Sequence, residues 1–316
     1  MTSPFTSLPK RVGVAVIAIP VILWFAFLGG YYFFLLVATI SSVSLFEFYT
    51  LEEKKGIRPA KAIGLVFGFL VNTSFVYDRA YVSILRVFES IGSHPAMFSL
   101  PQYFLFVLLV FLLTVALFEL FRREGSALLN ASATITGVLL ISTFFGTLIW
   151  TRELFPYGFP VSKFFPNALA TDAQFAQIER WGGFTVATLF ATIWMCDTAA
   201  YFGGLTLGRH KLFESVSPKK TWEGAVFGYV FSVLTMLLAQ RMFLDYMSSL
   251  DAVVLGSIVG IFGQLGDLVE SKFKRDAGVK DSSSLIPGHG GVYDRFDSLV
   301  FVAPIVYLYV DFVILS

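Results

Sequence analysis

The sequence predicts an all-α, polytopic integral membrane protein of about nine transmembrane helices, and three observations carry that expectation. The chain of 316 residues is 56% hydrophobic and only 14% charged, whereas an ordinary soluble domain is about 25% charged; its mean hydropathy is +0.74. Apolar stretches close to the ~20 residues that a helix needs to cross a bilayer recur along the whole chain. Lys and Arg also gather on one side of the arrangement those stretches define.

The stretches run 12–28, 31–51, 60–77, 103–121, 128–150, 184–207, 223–244, 252–270 and 298–315. The first follows Lys10 and Arg11 as a signal peptide would, but it lacks an A-x-A cleavage site and a second span follows at once, so it reads as a helix. Nine spans put the termini on opposite sides. With the N-terminus in the cytoplasm, 17 of the 23 Lys and Arg lie inside, leaving Arg79, Arg86, Arg152, Lys163, Arg180 and Arg241 outside. The positive-inside rule therefore gives N-in, C-out. Residues 79–100 are expected to hold a short interfacial helix and 151–183 a long outer loop along the membrane surface. Glu47, Glu119 and Asp311 lie near span ends and read as interfacial. Neither an internal repeat nor a soluble domain is visible, so 1–316 is one membrane domain, with 1–150 as scaffold helices and 184–316 as catalytic helices around a cytoplasmic polar cavity. Cys196 is the single cysteine, which excludes an intramolecular disulfide and a Cys-based metal cluster.

Chemistry concentrates where the sequence departs from this apolar background. Residues 271–297 read S-K-F-K-R-D-A-G-V-K-D-S-S-S-L-I-P-G-H-G-G-V-Y-D-R-F-D, between two spans. If the eighth helix continues past Asp267, then Glu270, Ser271 and Lys274 share its face at i+3, i+4 and i+7. An ionisable group at that depth is expensive and therefore a functional candidate. Asp294 and Asp297, three apart at the start of the ninth span, either cap that helix or join Asp267 in a hard oxygen-ligand site suited to Mg²⁺. Gly288, Gly290 and Gly291 let backbone approach an anion, and His289 between them either contacts phosphate or is a local hydrogen-bonding residue. In S-P-K-K-T-W-E, Ser217 is the expected N-cap and Pro218 the N1 residue of the seventh span, which with Lys219 and Lys220 would make an anion site. Asp197, within W-M-C-D-T-A-A-Y-F-G-G of the sixth span, needs a polar cavity or a basic partner.

The block from Ser271 to Asp297 resembles the signature of phosphatidate cytidylyltransferases, also called CDP-diacylglycerol synthases, at every defined position. D-T-A-A-Y-F-G-G and S-P-K-K-T-W-E-G look like that family's segments as well, so the resemblance covers about the last 130 residues with motifs. It implies transfer of CMP from CTP to phosphatidic acid with release of pyrophosphate, a Mg²⁺ requirement, and a helical membrane fold, often dimeric, with a cavity open to cytoplasm and lipid. It further implies Asp267 and Asp294 as metal ligands, and phosphate contacts from Ser217, Lys219 and Lys220. A potassium ion beside the magnesium, held with help from Ser217, belongs to the same expectation. The candidate catalytic residues are then Asp267, Asp294, Lys219, Lys220, Lys274, Arg275 and Asp297. The candidate substrate contacts are Ser217, Asp197, Thr221, Glu223, Glu270, Ser271, Lys280, Asp281, His289, Gly290, Gly291 and Arg295. CTP, phosphatidic acid, membrane lipids and a second copy of the chain are the expected partners, nucleic acid is not, and the compact chain points to a bacterial inner membrane. Two other readings are weighed against this one. A CTP-dependent lipid kinase would transfer the γ-phosphoryl group, and a transporter would show inverted repeats and broken helices, neither of which is visible. The D-G-x-x-A-R pattern of enzymes that join CDP-lipids to alcohols is absent.

Overall fold

Hydrocarbon offers no partner to a free N–H or C=O, so an apolar chain of this kind satisfies its backbone internally as helices. The computed structural model describes residues 4–93, 96–165, 171–286 and 290–316, with backbone alone for 4–12. Its helices are α1 Pro4–Leu28, α2 Gly30–Lys54, α3 Lys61–Ser74, α4 Tyr77–Ser90, α5 Leu100–Phe121, α6 Ala127–Gly158, α7 Val161–Phe164, α8 Asp172–Leu207, α9 Trp222–Phe243, α10 Ser249–Asp276 and α11 Tyr293–Ile314. Among the described residues, seven (α2, α5, α6 and α8 to α11) are long and apolar enough to cross a membrane. The other two expected spans fall on shorter helical segments, Gly13–Leu28 within α1 and the 14-residue α3. At 1.5 Å per residue α3 reaches about 21 Å, short of a ~30 Å hydrocarbon core. The expected interfacial helix is α4, which buries none of its residues.

Three expectations are corrected by the fold. The outer loop expected at 151–183 is largely helical, because α6 runs on to Gly158 and α8 begins at Asp172, twelve residues before the expected span start. Thr171 and Gln174 form a capping box there, each side chain accepting from the other's backbone N–H. Ser217 does not cap the seventh span. Ser217–Thr221 forms a strand, β2, paired antiparallel with β1, Lys211–Phe213, and Thr221 is the cap, accepting from Gly224 N at 3.2 Å. Glu47 and Glu119 lie near helix ends as expected, but they are buried against protein rather than turned to water.

The helices that carry the charged segments pack through small residues, as membrane helices do when backbones must approach closely. A methyl group on Gly224 would come within 2.6 Å of the Ala200 carbonyl, and one on Gly228 within 3.0 Å of that of Cys196, which fixes α8 against α9. Gly256 and Gly260 similarly seat α10 on Val233 and Tyr229 of α9, while Gly266 meets the Asp297 carbonyl of α11. Cys196 thus serves packing. The seams bring the C-terminal ends of α8 and α10 and the N-terminal ends of α9 and α11 to one end of the bundle.

Candidate active site

The site starts from an irregularity in α10. Val259–Gly263 forms a π-turn, a feature that frees a backbone carbonyl and is frequent at functional sites. Gln264 fills the gap, its Nε2 donating to Gly260 O at 2.6 Å and to Ala225 O at 3.1 Å. The helix then continues to Asp276, as the sequence requires if Asp267, Glu270, Ser271 and Lys274 are to share a face. Ser271 Oγ donates to Asp267 Oδ1 at 3.2 Å. The opposing turn of α11 supplies Asp297, and carboxylate oxygens of Asp267, Glu270 and Asp297 lie within 4.8 Å of one another.

Charge at this cluster does not balance. Lys220 Nζ, at the end of β2, sits 2.6 Å from Asp267 Oδ2, and Lys274 Nζ sits 2.5 Å from Glu270 Oε2. Lys274 is shared, however, because it also donates to Asp294 Oδ1 at 2.7 Å. Four carboxylates thus meet two ammonium groups. Glu270 is fully buried, and its Oε1 has no hydrogen-bond partner, nor has the hydroxyl of buried Tyr293 nearby. Buried polar atoms are rarely left so, and clustered carboxylates repel without a cation between them. A set of hard oxygen donors with an orphaned oxygen fits a divalent ion such as Mg²⁺.

Asp294 plays a different part from Asp297. Its oxygens accept from Lys274 Nζ, from Ser282 N at 3.0 Å, from Ser282 Oγ at 3.0 Å and from Gly291 N at 2.7 Å. It ties the loop between α10 and α11 to the start of α11, and it adjoins the cluster through Lys274. Gly290 closes that loop with φ of 84°, a conformation for which glycine is suited, while its carbonyl accepts from Ile286 N at 2.8 Å. His289 and Gly288 lie outside the described residues.

Around the cluster the remaining candidates divide into free cations and braces. Lys219, Lys280 and Arg295 are exposed and make no ion pair among the described residues. Asp281 is exposed within the loop between α10 and α11. Asp197 on α8 lies within electrostatic reach of Asp267, Lys220 and Arg295. Arg275 is a brace, donating to Val216 O at 3.3 Å and Val279 O at 3.0 Å. Glu223 is another, accepting from Arg209 N at 3.0 Å and lying 2.6 Å from His210 Nδ1, so it fixes the turn before β1. Ser217 is half-buried within β2, and Thr221 is committed to its cap.

One carboxylate that sequence reasoning assigned to the interface belongs here. Glu47 of α2 is 2% exposed and accepts from Ser282 Oγ, Ser283 Oγ, Val292 N and Tyr293 N at 2.6–3.1 Å. A cavity of about 170 Å³, lined by Arg79, Glu153, Trp150 and Tyr157 among others, lies elsewhere. Arg79 stands against Gly30, 17 residues and about 25 Å along α2 from Glu47, so that cavity is at the other end of the bundle.

One end of this helical membrane bundle gathers excess carboxylates beside two lysines and an arginine that make no ion pair among the described residues, a set of groups suited to a membrane enzyme that handles phosphates. The chain belongs to the cytidylyltransferase family, whose sequence model matches residues 9–313. It is similar over almost its whole length to a phosphatidate cytidylyltransferase of Synechocystis sp., with 33% identity over 313 residues covering 95% of this chain and 96% of that protein. Proteins of the same name from Staphylococcus epidermidis and Staphylococcus aureus are 50% identical over 117 residues and 49% over 118, each match covering 37% of this chain and 45% of the relative.

Proposed function

We propose that this chain transfers the cytidylyl group of CTP to phosphatidic acid, giving CDP-diacylglycerol and pyrophosphate. The observation that carries the reading is the full-length similarity to a phosphatidate cytidylyltransferase, and the unbalanced carboxylate cluster supports it. In the reaction a phosphate oxygen of phosphatidic acid attacks the α-phosphorus of CTP. The bond from that phosphorus to the bridging oxygen breaks, and the electron pair leaves with pyrophosphate. The attacking group is already an anion, so the protein needs no covalent nucleophile.

What the protein must do is bring two anions together. Asp267, Glu270 and Asp297 would hold a divalent ion, with Asp294 adjoining them across Lys274. When bound, such an ion supplies charge neutralisation at the phosphate oxygens. Lys219, Lys280 and Arg295 are free to meet the triphosphate and the lipid phosphate, and Lys220 is poised between Asp267 and the cleft. Carbonyls of Val216 and Val279, both held by Arg275, keep the β1–β2 hairpin and the start of the loop in register.

With this end in the cytoplasm, where CTP is, 17 of 23 Lys and Arg lie inside. The bacterial relatives favour a bacterial cytoplasmic membrane, and a homodimer rests on the resemblance alone. The test is transfer of label in purified protein supplied with phosphatidic acid and Mg²⁺. Label from the α-phosphate of CTP should enter lipid while pyrophosphate is released in equal amount. Entry of γ-label into lipid would instead identify a lipid kinase.

A further inference from the structure

We infer that Glu47 is a positioning residue: from the second helix of the chain it caps the N-terminus of α11 in trans and thereby sets Asp297 and Asp294 against α10. The first turn of a helix leaves its N–H groups without intrahelical partners. For α11 these groups are not met by a local side chain, since Val292 has no side-chain cap. Instead Val292 N donates to Glu47 Oε1 at 3.1 Å and Tyr293 N to Glu47 Oε2 at 2.8 Å. The same carboxylate receives Ser283 Oγ at 2.6 Å and Ser282 Oγ at 3.0 Å. Both oxygens are thus saturated by donors more than 230 residues away in sequence, in a site from which water is nearly excluded.

Three features make this a positioning device rather than a generic buried contact. A carboxylate at a helix N-terminus complements the helix dipole and forms charge-assisted hydrogen bonds. Glu47 and Asp294 converge on Ser282 Oγ, each 3.0 Å from it, so two carboxylates clamp the loop between α10 and α11 from opposite helices. Gly291 is pressed between them, and any side chain there would meet Ser282 Oγ and Glu47 Oε2. Asp294 and Asp297 are one and four residues beyond Tyr293, so the hold on Val292 and Tyr293 determines where both carboxylates stand. Among the described residues α11 has no side-chain cap of its own, and the neighbouring Phe48 of α2 packs against Phe273 and Tyr293, so α2 supports both sides of the site.

The activity readout of this inference rests on the proposed cytidylyl transfer, so its test also includes two measurements that do not. Glu47→Gln keeps the volume but offers one acceptor oxygen in place of two, and Ser283→Ala removes a single donor with little risk to folding. Hydrogen exchange in detergent should quicken at residues 290–297 of Glu47→Gln and leave α8 and α9 unchanged. Titration of Mn²⁺ in the absence of nucleotide should show affinity weakened by about tenfold or more, the range found when residues that orient metal ligands are altered. Ser283→Ala should shift both in the same direction by less, and Glu47→Asp should recover part of the loss. In the transfer assay the Mg²⁺ concentration for half-maximal rate should rise with the Mn²⁺ dissociation constant. Unchanged exchange at 290–297 and unchanged Mn²⁺ affinity in both Glu47→Gln and Ser283→Ala would overturn the inference. So would a loss of activity that tracks only the folded fraction. Normal Mn²⁺ effects without any cytidylyl transfer in the wild type would leave the positioning role standing and refute the proposed reaction.

Discussion

The two ends of the bundle both bury charge, and they do so differently. At the end away from the carboxylate cluster, Arg79 pairs with Glu153 at 2.8 Å and Arg152 with Glu179 at 2.9 Å, one cation to one anion. Arg152, 1% exposed, also donates from Nε to the Ala26 carbonyl at 3.0 Å, and Gly29, with φ of 62°, makes room for its guanidinium. At the other end, four carboxylates share two lysines, and a buried carboxylate oxygen is left without a partner. Paired charge ties α1, α6 and α8 together, with Arg152 Nη1 left without a partner among the described residues, whereas at the other end carboxylates outnumber the lysines that meet them.

That contrast can be broken at either end. Asp267→Asn should cost about 10³-fold in transfer rate while helix content and melting temperature stay near wild type, since it weakens the hold on the ion that would neutralise the reacting phosphates, and losing one such electrostatic stabilisation typically costs 10²–10³; rate assays alongside circular dichroism check this. Arg152→Met should do the reverse. It strands a buried carbonyl and unpairs the half-exposed Glu179, so stability should fall by about 2 kcal/mol, with the rate per folded molecule unchanged. A smaller effect is expected of Lys219→Ala, which removes an unpaired charge-assisted contact and should raise KM for CTP about tenfold with little change in stability. Smallest is Glu223→Gln. It loosens the turn at Arg209 and His210, and steady-state turnover should stay close to that of the wild type.

Much of this was legible in the sequence for a physical reason: solvation by lipid leaves few options. The apolar runs mark helices because nothing else satisfies the backbone there, and Asp267 stands out because a charge inside an apolar span demands a cause. Its i+3, i+4 and i+7 partners follow from helical spacing, and α10 does continue through them. Other features depend on contacts that spacing does not encode. Glu47 read as interfacial because a lone carboxylate near a span end can reach water, and nothing local tells that its partners lie beyond residue 280. Ser217 followed by Pro218 satisfied the rule for a helix start, but Lys211–Phe213 offered that backbone a strand partner and moved the cap to Thr221. The early start of α8 did carry a signal, the Thr171-x-x-Gln174 capping box, hidden by the expectation that a polar stretch is a loop. Asp294 and Asp297 share a sequence neighbourhood, and only the loop geometry separates the one that binds Ser282 and Gly291 from the one that faces Asp267.

The cluster at Asp267, Glu270 and Asp297 is the proposed site of a divalent ion. Mn²⁺ titration followed by electron paramagnetic resonance, on wild type, Asp297→Asn and Asp294→Asn without lipid or nucleotide, tests it most directly. Binding of one ion by the wild type, weakened by about tenfold or more in Asp297→Asn and by less in Asp294→Asn, is the predicted result. Wild-type affinity in Asp297→Asn, with binding lost in Asp294→Asn, would contradict it and move the ion to the carboxylate that here holds Lys274 and Ser282.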